Sequence, residues 1–100
     1  MTPQEAHDQR EALQLLDVRE ASELAAVRVP WAQHIPMDQV PSRLSELDRS
    51  TPVAVLCRSG NRSAHVARYL NQLGFQAHNV DGGLQQWTRA GLPHQSPHQP

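Results

Sequence analysis

The sequence predicts a small α/β domain built on a mainly parallel sheet with helices on both faces. Three observations carry that prediction. Apolar runs alternate with helix-patterned segments, the order that a parallel sheet with crossover helices requires. One run, Val53-Ala54-Val55-Leu56-Cys57, is apolar throughout and reads as a central strand covered on both sides. The chain has 100 residues, enough for one domain with an ordinary core and for roughly four or five short strands.

The elements follow in order. Thr2-Pro3-Gln4-Glu5 opens a helix, with Thr2 as cap, Pro3 in the first turn and Glu5 closing a capping box. That helix is expected to reach about Glu11. Leu13-Gln14-Leu15-Leu16-Asp17-Val18 reads as a strand, and residues 20–26, rich in Ala, Glu and Leu, as a short helix. Pro30, Pro36 and Pro41 break the chain, leaving a small strand around His34-Ile35 and a short helix over residues 42–47. After the central strand comes the polar turn Arg58-Ser59-Gly60-Asn61-Arg62-Ser63. A helix starts within or just after it, with Ala64, Ala67, Leu70 and Leu73 spaced by three, Val66 on the same face and Gly74 as its stop. Residues 75–80 form a strand, Gly82-Gly83 a turn, and Leu84-Gln85-Gln86-Trp87 the start of a last helix that Gly91 ends. Residues 93–100 hold only Pro, His, Gln and Ser; they are expected to be a disordered tail with nothing to pack against, after a domain at residues 1–92.

Composition excludes several function classes. All nine basic residues are arginine, and the net charge is -1, which argues against a dedicated nucleic-acid binder. The longest apolar run is roughly a quarter of the ~20 residues a membrane-spanning helix needs. The first residues carry no basic stretch and no apolar core of a secretory signal, so a cytoplasmic location is expected. One cysteine excludes an internal disulfide and every multi-thiolate metal site. The six histidines show no ligand spacing, and Gly82-Gly83 belongs to no nucleotide fingerprint. No metal and no cofactor is expected.

The informative residue is Cys57. It closes a buried strand, and a polar turn and then a helix follow. Ligands of open α/β sheets bind past the carboxyl ends of strands, where helix N-termini also point. Amide N–H groups in so tight a turn converge into an anion nest. A thiolate held there is stabilised against its thiol and becomes nucleophilic near neutral pH. Arg58 and Arg62 add positive charge, and Gly60 permits the tight turn. A lone cysteine at a strand end is commonly just a small buried hydrophobe. Two arginines, a glycine and two serines are poor material for finishing a core, however, and good material for holding a dianion above a thiolate. No histidine flanks the turn, and His65 falls on the polar side of the helix pattern, so activation is electrostatic. That suits attack on the outer sulfur of an anionic donor, giving a Cys57 persulfide that a thiophilic acceptor discharges.

Three blocks resemble the single-domain rhodaneses, the thiosulfate sulfurtransferase family, in the same order: Leu15-Leu16-Asp17-Val18-Arg19-Glu20, Cys57-Arg58-Ser59-Gly60-Asn61-Arg62-Ser63 and Asp81-Gly82-Gly83-Leu84-Gln85-Gln86-Trp87. The resemblance spans residues 13–87. It implies a rhodanese-like fold around a mainly parallel five-stranded sheet, and a Cys57 that becomes persulfurated. It further implies that the backbone from Arg58 through Ser59, Gly60, Asn61 and Arg62 to Ser63 cradles the sulfur, with the two arginines assisting anionic donors. Asp17 and Arg19, with Gly82 and Gly83, hold supporting positions.

Two departures stand out. Val27-Arg28-Val29-Pro30-Trp31-Ala32 replaces the family's Gly-His-Ile-Pro-Gly-Ala, putting Arg28 for a histidine and Trp31 for a glycine. Residues 1–12 also leave little room for the family's first edge strand. Related phosphatases and arsenate reductases place five residues between cysteine and arginine; only Arg58, Ser59, Gly60 and Asn61 stand here, a cradle cut for one sulfur atom. The function expected is transfer of sulfane sulfur from thiosulfate or a similar donor to cyanide or a thiol, by a monomer. The alternatives are a persulfide relay serving a protein partner, a phosphatase or arsenate reductase of the same fold, and a binding module with an inert cysteine.

Overall fold

In a computed structural model describing residues 1–96, the sheet is assembled around the run that the sequence marks as central. Strands β1 (Gln14–Asp17), β2 (Gln33–His34), β3 (Val53–Leu56) and β4 (Ala77–Asn79) lie in the order β2-β1-β3-β4, and every neighbouring pair is parallel. β3 is buried along its whole length, as expected of a strand covered on both faces.

Alternation along the strands divides the core. Leu16, Val53, Val55 and Ala77 face helix α3 (Asn61–Gln72), which contributes Val66, Ala67 and Leu70. Leu15, Ala54 and Leu56 face the other way, toward helices α1 (Pro3–Asp8) and α4 (Gly83–Arg89), which contribute Ala6, Leu84 and Trp87. Trp87 is fully buried in this core, and its indole Nε1 donates to the Pro93 carbonyl. Trp31, the family departure, packs on Trp87 with ring centroids 6.0 Å apart.

The structure departs from the sequence reading in identifiable ways. The sheet has four strands among the described residues, one fewer than the resemblance implies. The N-terminal stretch is instead helix α1, opened by Thr2 and Glu5 in a reciprocal capping box. It stops at Asp8, short of the expected Glu11, because the chain tightens there into i+3 turns, Arg10 N to His7 O and Ala12 N to Gln9 O. Helix α2 is a single turn, Ala21–Leu24. Past it the Glu23 carbonyl accepts from the Ala26 amide, and the Arg19 guanidinium donates to the carbonyls of Glu23 and Val27. Residues expected to form a helix at 42–47 lie instead in two 3₁₀ segments, Met37–Ser42 and Leu44–Glu46, parted at Arg43, whose φ of -123° and ψ of 22° are not helical.

The tail expectation covers two cases. Residues 93–96 are not without partners. Gln95 pairs with Arg28 as an isolated antiparallel bridge, amide to carbonyl at 2.7 and 2.9 Å, and Pro93 accepts from Trp87. Residues 97–100 lie outside the described residues.

Candidate active site

Cys57 follows the last residue of β3, and its side chain, 1% exposed, lies on the α3 face at the carboxyl end of the sheet. The chain then reverses at Gly60, whose φ of +102° suits glycine. α3 begins at Asn61, so Arg62 and Ser63 occupy its first turn rather than the end of a long loop. This early start delivers the donors. The Gly60 amide points at Cys57 Sγ at 3.1 Å and the Ser63 amide at 3.4 Å, with the Ser63 hydroxyl oxygen 3.1 Å from the sulfur. Burial pushes the thiol pKa up; the Ser63 hydroxyl and the amides of Ser63, Gly60 and Ser59 outweigh it and hold the pKa below the ordinary thiol value.

The turn before α4 fixes the other side of the cradle. The Leu84 amide donates to the Cys57 carbonyl at 2.8 Å and the Gln85 amide to the Arg58 carbonyl at 3.0 Å. Such close docking admits no side chain at Gly83, where a Cβ would sit 2.5 Å from the Cys57 carbonyl oxygen. Gly82, at the N-cap of α4, faces Gly60 across the same contact. The Gly82-Gly83 turn thus abuts the cysteine loop.

The two arginines divide. Arg58 is exposed and its guanidinium has no hydrogen-bond or ion-pair partner among the described residues. Arg62 is not free in the same sense: both its terminal nitrogens bind the Glu23 carboxylate at 2.7 Å. Glu23 responds with a pKa lowered to about 2, through the hydrogen bonds from Arg62 against the opposing effect of burial. Ser59 and Asn61 are exposed on the rim, and the Ser63 side chain is buried beneath it.

Asp17 and Arg19 form a buried ion pair, Nη2 to Oδ2 at 2.8 Å, and Arg19 ties β1 to α2 and to Val27. They brace the frame and do not touch the sulfur. An open cleft of about 370 Å³ lies beside the loop, lined by Arg19, Glu23, Ala26, Val27, Arg58, Leu84, Gln85 and Thr88. His65 is exposed.

Two residues at the site escaped the sequence reading. Glu23 neutralises Arg62 from 39 positions away, a pairing no local pattern announces. Asn79, in β4, accepts a hydrogen bond from the Ser63 hydroxyl, Oγ to Oδ1 2.5 Å. Its one signal was compositional: asparagine is depleted in strands, yet this one sits beside the double-glycine turn.

A parallel sheet whose central strand is followed by a cysteine, met by amides from a turn and a helix start, defines a class of α/β domains with a donor-ringed thiol. Within that class the chain belongs to the rhodanese-like domain family, which it matches over residues 2–90. It is similar to a candidate sulfurtransferase of Bacillus subtilis (strain 168), YtwF, with 41% identity over 83% of this chain and 81% of that protein. The thiosulfate sulfurtransferase GlpE of Tolumonas auensis is 36% identical over 73% of this chain and 70% of the other. Among solved structures, a rhodanese-related protein of Thermoplasma volcanium superposes with a TM-score of 0.90 at 33% identity, covering 95% of each chain.

Proposed function

We propose that this protein is a sulfurtransferase that carries sulfane sulfur on Cys57. The observation that supports it most directly is the convergence of the Gly60 and Ser63 amides on Sγ. Donors so placed stabilise negative charge on the Cys57 thiolate, the state that attacks the donor and is regenerated when the outer sulfur leaves.

The Cys57 thiolate attacks the outer sulfur of thiosulfate. A new S–S bond forms, the donor's own S–S bond breaks, and sulfite leaves with the electron pair. The product Cys57–S–S⁻ keeps its charge near the loop. An acceptor nucleophile, cyanide or a thiolate, then takes the outer sulfur and returns Cys57 as thiolate, giving thiocyanate or a new persulfide. Arg58, exposed and unpaired, draws the anionic donor toward the loop. The chemistry calls on no metal or cofactor.

Mass spectrometry after incubation with thiosulfate tests the reading: a gain of roughly 32 Da, one sulfur atom, removed by cyanide and absent from Cys57→Ser, is expected. No gain with thiosulfate, but loading by a persulfidated protein, would make the chain a relay. Loading by neither ends the proposal.

A further inference from the structure

The Ser63 hydroxyl has one hydrogen and two claimants. Its oxygen lies 3.1 Å from Cys57 Sγ and 2.5 Å from Asn79 Oδ1. When the hydrogen is directed to Asn79, Ser63 can only accept from Cys57, and the sulfur must be a thiol to fill that contact. When Cys57 is a thiolate, it can only accept, and the hydrogen must swing to the sulfur. Asn79 Oδ1 and Ser63 Oγ would then face each other at 2.5 Å with no hydrogen between them, an arrangement whose repulsion favours the thiol.

We propose that Asn79 is a positioning residue for Cys57, whose amide turns end for end so that the Ser63 hydroxyl donates to Asn79 in the thiol form and to the sulfur in the thiolate form. A half-turn about the Cβ–Cγ bond puts Nδ2 where Oδ1 stood. The chain of donors then runs Asn79 Nδ2–H to Ser63 Oγ, and Ser63 Oγ–H to Cys57 Sγ, with the thiol proton lost to solvent. Among the described residues no hydrogen bond ties Nδ2 down, and it lies beside the bare Cα of Gly60, 3.6 Å from where a Cβ would stand. β4 holds the residue in register, with Asn79 opposite Val55 two positions before the cysteine. An amide serves both states because it carries a donor and an acceptor at one site; a carboxylate or an alkyl group there serves one or neither.

The inference rests on Cys57 being the reacting group but not on the identity of its donor. The charged and titratable groups on the loop and the elements packed around the sulfur are Arg58, the Glu23–Arg62 pair from α2 and α3, His65 and Arg68 further along α3, the Asp17–Arg19 pair at the end of β1, His78 beside Asn79 in β4, Asp81 before α4 and Arg89 at its end. All of them stay in place in the variants.

The test is the pH dependence of Cys57 alkylation by iodoacetamide in the full chain. Asn79→Asp offers Ser63 only an acceptor, and alkylation at pH 7 is expected to slow about tenfold, one unit in the thiol midpoint. In a Ser63→Ala background the same substitution is expected to add at most about a twofold effect, since the coupling runs through the hydroxyl. Slowing of equal size with and without the hydroxyl, or none at all, overturns the proposal. Should Asn79→Asp fail to fold, the unmodified protein still answers: the Asn79 side-chain amide signals in an NMR titration must shift with the midpoint read from the Cys57 Cβ carbon, and insensitivity overturns it equally. Sulfur loading of the unmodified protein is measured separately, so a failure of the Asn79 amide turn and a failure of sulfur transfer are told apart.

Discussion

Glu23 grips Arg62 at two points, Oε2 to Nη1 and Oε1 to Nη2, each at 2.7 Å, and so ties α2 to the first turn of α3. The guanidinium expected to serve the donor is thereby also held by a carboxylate. Among the described residues, Arg58 is left as the unpaired cation of the loop. The cradle that remains is made mostly of backbone amides, which hold their direction only while α3 and the α4 turn stay docked.

That pairing predicts an acid limb in the stability curve. The folded pKa of Glu23 is about 2, below its ordinary 4.5. The group's share of stability is therefore complete above pH 4.5 and is lost as pH falls toward 2. Both side chains are partly solvated, so the pair is worth about 1 kcal/mol. Melting temperatures from pH 6 to pH 2 should fall less steeply in Glu23→Gln than in the unmodified chain. Parallel curves would mean that the carboxylate contributes nothing on folding.

The same division separates the two arginines in kinetics. Arg58→Ala removes an exposed, unpaired charge, so the melting temperature should not move while KM for thiosulfate rises about fivefold, near 1 kcal/mol of lost attraction. That rise should shrink at high ionic strength, because salt screens an exposed charge. Arg62→Ala also strips Glu23 of its partner, and its larger effect should be on stability. A drop in melting temperature for Arg58→Ala together with none for Arg62→Ala would reverse the assignment.

Cys57→Ser keeps a small side chain that can accept from the same amides, so the fold should survive with a melting temperature within a few degrees of the original, about 0.5 kcal/mol. Sulfur loading should vanish entirely. In the unmodified protein the rate of alkylation should fall as pH drops below a midpoint that lies under the ordinary thiol value, the direction set by the Ser63, Gly60 and Ser59 donors outweighing burial. A midpoint at or above the ordinary value would show that desolvation wins.

What the sequence made legible and what it hid follow from the range of the interactions. The strand Val53–Leu56, the cysteine after it, the helix begun inside the polar turn and the Gly82-Gly83 contact are all consequences of short patterns: an apolar run, glycines at positive φ, a period of 3.6. The family's blocks added their order. The Glu23–Arg62 brace and the Ser63–Asn79 hydrogen bond span 39 and 16 positions, and nothing at either end encodes the partner. Residues 20–26 read as a longer helix on propensity, whereas the Arg19 side chain that meets the Glu23 and Val27 carbonyls is a contact local composition does not encode. Residues 93–96 looked featureless because their anchors, Arg28 and Trp87, lie elsewhere in the chain.

Gly83→Ala tests how far the cradle depends on the α4 turn. A Cβ at this position would meet the Cys57 carbonyl oxygen at 2.5 Å and the Arg58 carbonyl carbon at 2.7 Å, at a φ of +58°. Those atoms are backbone and cannot rotate aside, so the turn must lift from the loop and break the Leu84-to-Cys57 and Gln85-to-Arg58 hydrogen bonds. Gly91 provides the control, since its φ is +74° and a Cβ there meets nothing within 4 Å. Gly91→Ala bears only the cost of the left-handed backbone, about 1–2 kcal/mol, and should leave Cys57 alkylation untouched. Gly83→Ala bears that cost and the clash, so it should melt at least about 5 °C below Gly91→Ala, equivalent to a further ~1 kcal/mol in a chain of this size. It should also alter the pH midpoint of Cys57 alkylation, because the Cys57 carbonyl and the amides over its sulfur belong to one rigid turn. Equal melting temperatures and equal midpoints in the two variants would show that the loop keeps its shape without the α4 contact, and that α3 alone aims the donors.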